Sequence, residues 1–165
     1  RVPFLFVWKD KIIESSVNNT PISNLDIFPT ILYAANISYS TQLDGADLSN
    51  LLFNNHKNLD RALFWHFPVY IQSKNWKGFN FENRDSLFRT RPGSVVRKED
   101  WKLHYYFEDK SVELFNLKTD ISEKTNLIDQ FPEKADQLKS FLENWWKETK
   151  APISNKLNPG YILEN

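Results

Sequence analysis

Between Arg61 and Leu117 the chain breaks into four short apolar or aromatic segments: Arg61 to Phe67, Gly93 to Arg97, Trp101 to Phe107 and Val112 to Leu117. Turn chemistry lies between them at Pro68, Pro92-Gly93, Glu99-Asp100 and Glu108-Asp-Lys110. Segments of this length, rich in rings and β-branched residues and bounded by such breakers, predict the strands of one antiparallel sheet. In the third segment Trp101, Leu103, Tyr105 and Phe107 alternate with Lys102, His104 and Tyr106. A period of two places these sets on opposite faces, one for a core and one for water or a ligand.

Downstream, Ala135, Leu138, Phe141, Leu142 and Trp145 recur at helical spacing behind Pro132, a residue suited to the first helical position. A helix over 132–148 is therefore expected to cover the apolar face of the sheet. The expected class is α+β: a four-stranded antiparallel sheet packed by a C-terminal helix. Upstream, Val2 to Trp8 is an almost continuous apolar run, the pattern of a strand buried on both faces of a larger sheet. Its neighbours are not evident in the chain, which predicts either an absent partner domain or self-association through 2–8. Lys9 to Pro21 is polar and reads as a surface connection.

Ser23 to Asn36 predicts a helix with Asp26 as N-cap, Pro29 in the first turn, and Asn36 as the left-handed C-cap. Ile27, Phe28, Ile31, Leu32 and Ala35 would form its buried stripe. A short helical turn is expected at Ala46 to Phe53. Residues 1–55 are thus assigned to the end of an α/β domain and 56–165 to a C-terminal sheet-and-helix subdomain.

Across 165 residues, 21 basic and 21 acidic side chains cancel, so no global field favours nucleic acid or an anionic membrane. No apolar run approaches the ~20 residues that span a bilayer. The absence of cysteine removes disulfides and thiol chemistry from this chain. A start at Arg1 on an apolar run, with no methionine anywhere, reads as a piece of a longer polypeptide. Asn18-Asn-Thr20 and Asn36-Ile-Ser38 fit the glycosylation sequon, a pattern frequent by chance.

Several blocks occur in a telling order: Arg1-Val-Pro-Phe-Leu-Phe-Val-Trp8, Asn24-Leu-Asp-Ile-Phe-Pro-Thr-Ile-Leu32, Leu43-Asp-Gly-Ala-Asp-Leu48, Leu63-Phe-Trp-His-Phe-Pro68 and Pro92-Gly-Ser-Val-Val-Arg97. Asp100-Trp-Lys-Leu103, Glu113-Leu-Phe-Asn-Leu-Lys-Thr-Asp120 and Glu123-Lys-Thr-Asn-Leu127 follow. Together they resemble the C-terminal part of type I sulfatases, the arylsulfatase-like enzymes of the alkaline phosphatase superfamily. The resemblance implies a sulfuric ester hydrolase whose parent carries a calcium ion and a formylglycine, the latter made within a Cys/Ser-x-Pro/Ala-x-Arg motif. No such motif occurs here, so the resemblance implies that nucleophile and metal ligands lie upstream and that this chain alone is inactive. It further implies a missing N-terminal catalytic domain, a sulfated carbohydrate or aryl sulfate substrate, and a periplasmic or secreted parent. A stand-alone glycan-binding or structural module, or part of a related phosphonate or phosphate ester hydrolase, is the alternative.

Site candidates follow from both readings. His66 points opposite to Trp65 and Phe67 in a period-two strand, and the resemblance places its His-Phe-Pro turn toward the cleft. Its imidazole would bind substrate or be satisfied within the sheet. His104 is a weaker candidate on the polar face, and His56 reads as a surface residue. The Val69–Arg91 connection is long, with little periodicity, and combines Trp76, Phe79, Phe81 and Phe88 with Arg84, Arg89 and Arg91. Rings stack on sugar CH groups and guanidinium forks hold sulfate, so Trp76, Arg84, Arg89 and Arg91 are candidate substrate contacts. A lid packed by its own aromatics is the other reading. Arg97 and Lys102 are expected to pair structurally with carboxylates.

Overall fold

The computed structural model describes residues 2–54, 59–72 and 88–153, without the side chains of 72, 88 and 89. The chain divides into two compact units, Arg1–Asp60 and Arg61–Asn165.

In the second unit β1 (Ala62–Phe67), β4 (Gly93–Lys98), β5 (Trp101–Tyr106) and β6 (Val112–Asn116) form one antiparallel sheet in the order β1-β4-β5-β6. The register runs straight across: Phe64 faces Val96, which faces Leu103, which faces Leu114. Val96, Leu103 and Leu114 are wholly buried against Ala135, Leu138 and Leu142 of α3 (Pro132–Thr149). The expected sheet and its covering helix are therefore both present, with Pro132 opening α3. The short β4–β5 connection turns through Glu99, which takes a positive φ of 55°. Gly93 is required by a close approach: a Cβ there would lie 2.7 Å from the Tyr105 carbonyl oxygen.

The helix face departs from expectation at one position. Leu138 and Leu142 are buried, but Phe141 is 36% exposed, with the Lys98 ammonium 5.6 Å from its ring centroid. A step of one residue turns the helix by about 100°, which carries Phe141 from the core to its rim.

The connection from Val69 to Arg91 has structure at its two ends. Ile71–Gln72 (β2) pairs antiparallel with Phe88–Thr90 (β3) as a separate two-stranded ladder. Pairing of two or three residues leaves too short a pattern to stand out in the sequence.

In the first unit a 3₁₀ turn, Asn24–Asp26, runs into α1 (Ile27–Ala34), and α2 (Ser49–Phe53) follows. Asn36 adopts the left-handed conformation, and the Ile37 and Asn36 amides donate to the Leu32 and Tyr33 carbonyls, closing α1 as expected. Asp26 has a different task from capping α1. Its carboxylate accepts from the Ser23 amide at 2.7 Å and from the Ala46 amide at 2.8 Å, fully buried. Thr30 Oγ1 then donates to the Asp26 carbonyl and accepts from the Leu48 amide. The two blocks around Asp26 and Gly45 are thus one hydrogen-bonded clamp. Gly45 lies so near the Leu25 carbonyl that a Cβ there would collide with its oxygen.

This clamp also corrects the expected buried stripe of α1. Asp26, Pro29 and Thr30 are buried beneath the 43–48 segment, whereas Phe28 and Ile31 are exposed. Hydrophobic periodicity marks the apolar face, but the polar clamp decides which face this chain covers. Val2 to Trp8, expected as a strand whose neighbours are not evident in the chain, pairs with no strand among the described residues. Val2, Leu5 and Val7 are 80–89% exposed. The Phe4 and Phe6 rings stack on each other and Trp8 packs edge-on against Phe53. A buried strand needs neighbours to pair its amides, and these residues have none here. No helix among the described residues is long and apolar enough to cross a membrane.

Candidate functional site

His66 and His104, the two histidine candidates among the described residues, lie on opposite faces of the sheet. His66 follows Phe64 on the face beneath α3, since it pairs with Ser94 in the row next to Val96. Its Nδ1 is 2.7 Å from Ser94 Oγ, and its Nε2 is 3.0 Å from the Pro152 carbonyl oxygen. Trp146 Nε1 donates to the same Ser94 Oγ at 3.0 Å. Phe107 and Trp145 enclose the imidazole edge-on and tilted. Both ring nitrogens are therefore engaged within the chain. Trp65 and Phe67 point the other way and are 49% and 41% exposed.

That other face carries Lys102, His104 and Tyr106. Glu123 reaches over it: Lys102 Nζ donates to Oε1 at 2.6 Å, and His104 Nε2 meets Oε2 at 2.8 Å. The hydrogen bond from His104, then the hydrogen bond and charge of Lys102, outweigh burial and hold the Glu123 carboxyl at about 2, below its ordinary 4.5. A depressed carboxylate stabilises the fold fully above its unfolded value, and that contribution is lost as pH falls through the window from 4.5 toward 2. Glu123→Gln is accordingly expected to cost about 1–3 kcal/mol at pH 7. Urea unfolding at several pH values checks this: the gap to the parent protein should shrink steadily below pH 4.5, and a gap unchanged at pH 2.5 would contradict the assignment.

The segment that carries Glu123 is itself pinned to the sheet edge. Asn126 Oδ1 accepts from the β6 amide of Leu114 and from the Ile128 amide, and the Leu127 amide donates to the Leu114 carbonyl. Asp120 Oδ2 accepts from the Lys124 and Thr125 amides. Glu123-Lys-Thr-Asn-Leu127 is therefore a cover for an open strand edge that also delivers one carboxylate. A positive φ of 54° at Glu123 marks the turn. The block was visible in the sequence; the roles of Glu123 and Asn126 were not, since neither belongs to a periodic pattern.

Arg91 occupies a third place. Its guanidinium is 3.4 Å from Glu108 and 3.6 Å from Asp109 in the β5–β6 turn, and the Glu108 side chain is only 7% exposed. Neither Glu108 oxygen has a hydrogen-bond donor among the described residues, so Arg91 is its neutralising charge. Trp76, Arg84, the Arg89 side chain and His56 lie outside the described residues. Arg97 Nε donates to the Glu99 carbonyl, while Lys102 takes the carboxylate expected of it. Among the described residues no three His, Asp or Glu side chains gather where they could hold a metal ion.

The chain matches the family model of the C-terminal region of N-sulphoglucosamine sulphohydrolase over residues 1–150. The chain belongs to this family. It is the C-terminal part of a type I sulfatase. This sulfatase C-terminal chain is 29% identical over 169 residues to a sulfatase of Formosa agariphila, covering 92% of the chain and 28% of that protein. It is 34% identical over 114 residues to mouse arylsulfatase K, covering 68% of the chain and 19% of that protein. Among solved structures, Ps i-CgsB superposes with a TM-score of 0.62 at 20% identity, over 84% of the chain and 27% of that protein. BT4656, solved with its substrate D-glucosamine-2-N,6-O-disulfate, superposes with a TM-score of 0.55 at 23% identity, over 76% of the chain and 24% of that protein. These likenesses show that the chain shares its fold with the matching parts of those structures. The sulfatase C-terminal chain spans less than a third of the length of each of these relatives.

Proposed function

We propose that this chain completes the substrate cleft of a sulfuric ester hydrolase and helps select a sulfated carbohydrate. The observation that carries the reading is the family match over residues 1–150, which spans the first structural unit and all but the last 15 residues of the second, the 123–126 cover included. Relatives of the same fold support the substrate class, among them BT1596, a 2-O glycosaminoglycan sulfatase, and the BT4656 complex. Formylglycine does not fit this sequence, and a calcium site does not fit the described residues. The sequence has no Cys/Ser-x-Pro/Ala-x-Arg motif, and no metal-ligating trio occurs among the described residues. The sulfur chemistry is assigned to an N-terminal catalytic domain of the longer protein.

Within the chain, the Val69–Arg91 connection offers selection chemistry through the rings and guanidinium groups of Trp76, Arg84 and Arg89. His66 and His104 act as positioning groups, because their imidazoles already bond Ser94, Pro152 and Glu123. The test compares the protein expressed with its upstream coding sequence and the 165-residue chain alone. The extended protein should release sulfate from an aryl sulfate and from a sulfated disaccharide, and the chain alone should release none. Turnover by the chain alone would overturn the division of labour, and hydrolysis of phosphate esters in place of sulfate esters would overturn the reaction class.

A further inference from the structure

Ser94, His66 and Trp146 come from β4, β1 and the last turns of α3, and each supplies one polar group to a single chain of hydrogen bonds. The direction of that chain follows from what each atom can do. A carbonyl only accepts, so the His66 Nε2 facing Pro152 carries the hydrogen; an indole N–H only donates, so Ser94 Oγ accepts from Trp146. With the ring hydrogen on Nε2, Nδ1 is left to accept, and the Ser94 hydroxyl has one hydrogen to give it at 2.7 Å. Trp146 thus donates to Ser94, Ser94 to His66, and His66 to the Pro152 carbonyl, with every donor used once. Ser94 is 1% exposed, so water does not compete for its hydroxyl.

The last link leaves the sheet-and-helix core for the segment behind α3. Lys150 turns the chain through a left-handed conformation, φ 51°, and the Ala151 amide returns to the Trp146 carbonyl. Pro152 cannot donate to anything, so among its backbone groups only the carbonyl can be held. Phe64 stacks on Trp145, which in turn tilts over the imidazole, and this fixes the ring that does the holding.

We propose that His66 is a latch that straps the Lys150–Pro152 segment onto the end of β1. Phe67 and Pro68 follow His66 directly, so the strap behind α3 and the departure of the Val69–Arg91 connection are fixed to one imidazole. This makes His66 a positioning residue acting through the backbone on both sides of the sheet end. The latch does not depend on which reaction the intact protein performs, so its failure would leave the sulfatase reading standing.

Two substitutions separate the two nitrogens. The amide of glutamine reaches about as far as Nε2, and that of asparagine about as far as Nδ1. His66→Gln therefore retains a donor for Pro152, while His66→Asn retains only the partner for Ser94. Hydrogen exchange of the full-length protein, read on peptides covering 146–153, and the rate of tryptic cleavage after Lys150 are the measurements. His66→Asn should raise both by about fivefold, the loss expected of one hydrogen bond. His66→Gln should stay within about twofold of the parent protein, with β5 and β6 peptides unchanged in both variants. Equal effects of the two substitutions, no effect of either, or faster exchange spread through β5 and β6 would each overturn the latch. If His66→Asn fails to fold, His66→Gln alone decides: parental exchange at 149–151 supports the latch, and accelerated exchange refutes it.

Discussion

Replacing Arg91 by alanine is expected to destabilise the Arg61–Asn165 unit by about 3–5 kcal/mol, far more than the loss of an ordinary surface ion pair. The reason is Glu108. Its side chain is 7% exposed, and neither oxygen has a hydrogen-bond donor among the described residues, so the guanidinium at 3.4 Å is what makes a buried carboxylate tolerable there. Asp109, 43% exposed, keeps its water when Arg91 is removed and contributes little to the loss. Glu108→Gln in the Arg91→Ala background should recover a large part of the stability, because an amide left without partners costs less than a charge. Urea unfolding of the single and double variants gives the coupling directly. A cost below about 1 kcal/mol for Arg91→Ala would place the pair among solvated surface bridges and return Arg91 to the pool of substrate-binding candidates.

Leu142→Ala is expected to cost about 2–5 kcal/mol, while Phe141→Ala one position earlier should cost about 1 kcal/mol or less. Leu142 is fully buried among Val96, Leu103, Leu114 and Leu138, in a core too tightly packed to close over the missing atoms. Phe141 is the larger side chain, yet it lies at the rim with solvent on one side and Lys98 over its ring. Thermal melts of the two variants test the helix rotation: equal costs would mean that α3 sits on the sheet turned toward the phenylalanine.

The same contrast shows which parts of this protein were legible in the sequence. The four strands and α3 could be read because each repeats a local pattern, alternation along β5 from Trp101 to Tyr106 and 3.6-residue spacing from Ala135 to Trp145. The short β2–β3 ladder could not, since two or three residues carry no period. Of the site candidates, the orientation of His66 away from Trp65 and Phe67 was legible, as was His104 on the face of Lys102. The partners of both were not: Ser94, Trp146 and Pro152 stand 28, 52 and 86 residues from the groups they bond, and Glu123 stands 19 from His104.

Chain-local forces therefore settled the four strands, their alternating faces and the extent of α3, because strand alternation, helix period and the left-handed residues at Asn36 and Glu99 depend on near neighbours. Long-range packing settled everything that depends on a partner. It chose the Asp26–Thr30 face of α1 over its apolar stripe, left Val2–Trp8 without a ladder, and rotated Phe141 out of the core. It also gave Arg91 to Glu108 and the His66 imidazole to the strap behind α3. A hydrogen bond or ion pair exists only where two distant groups arrive within about 3 Å of each other, and no local pattern encodes that meeting.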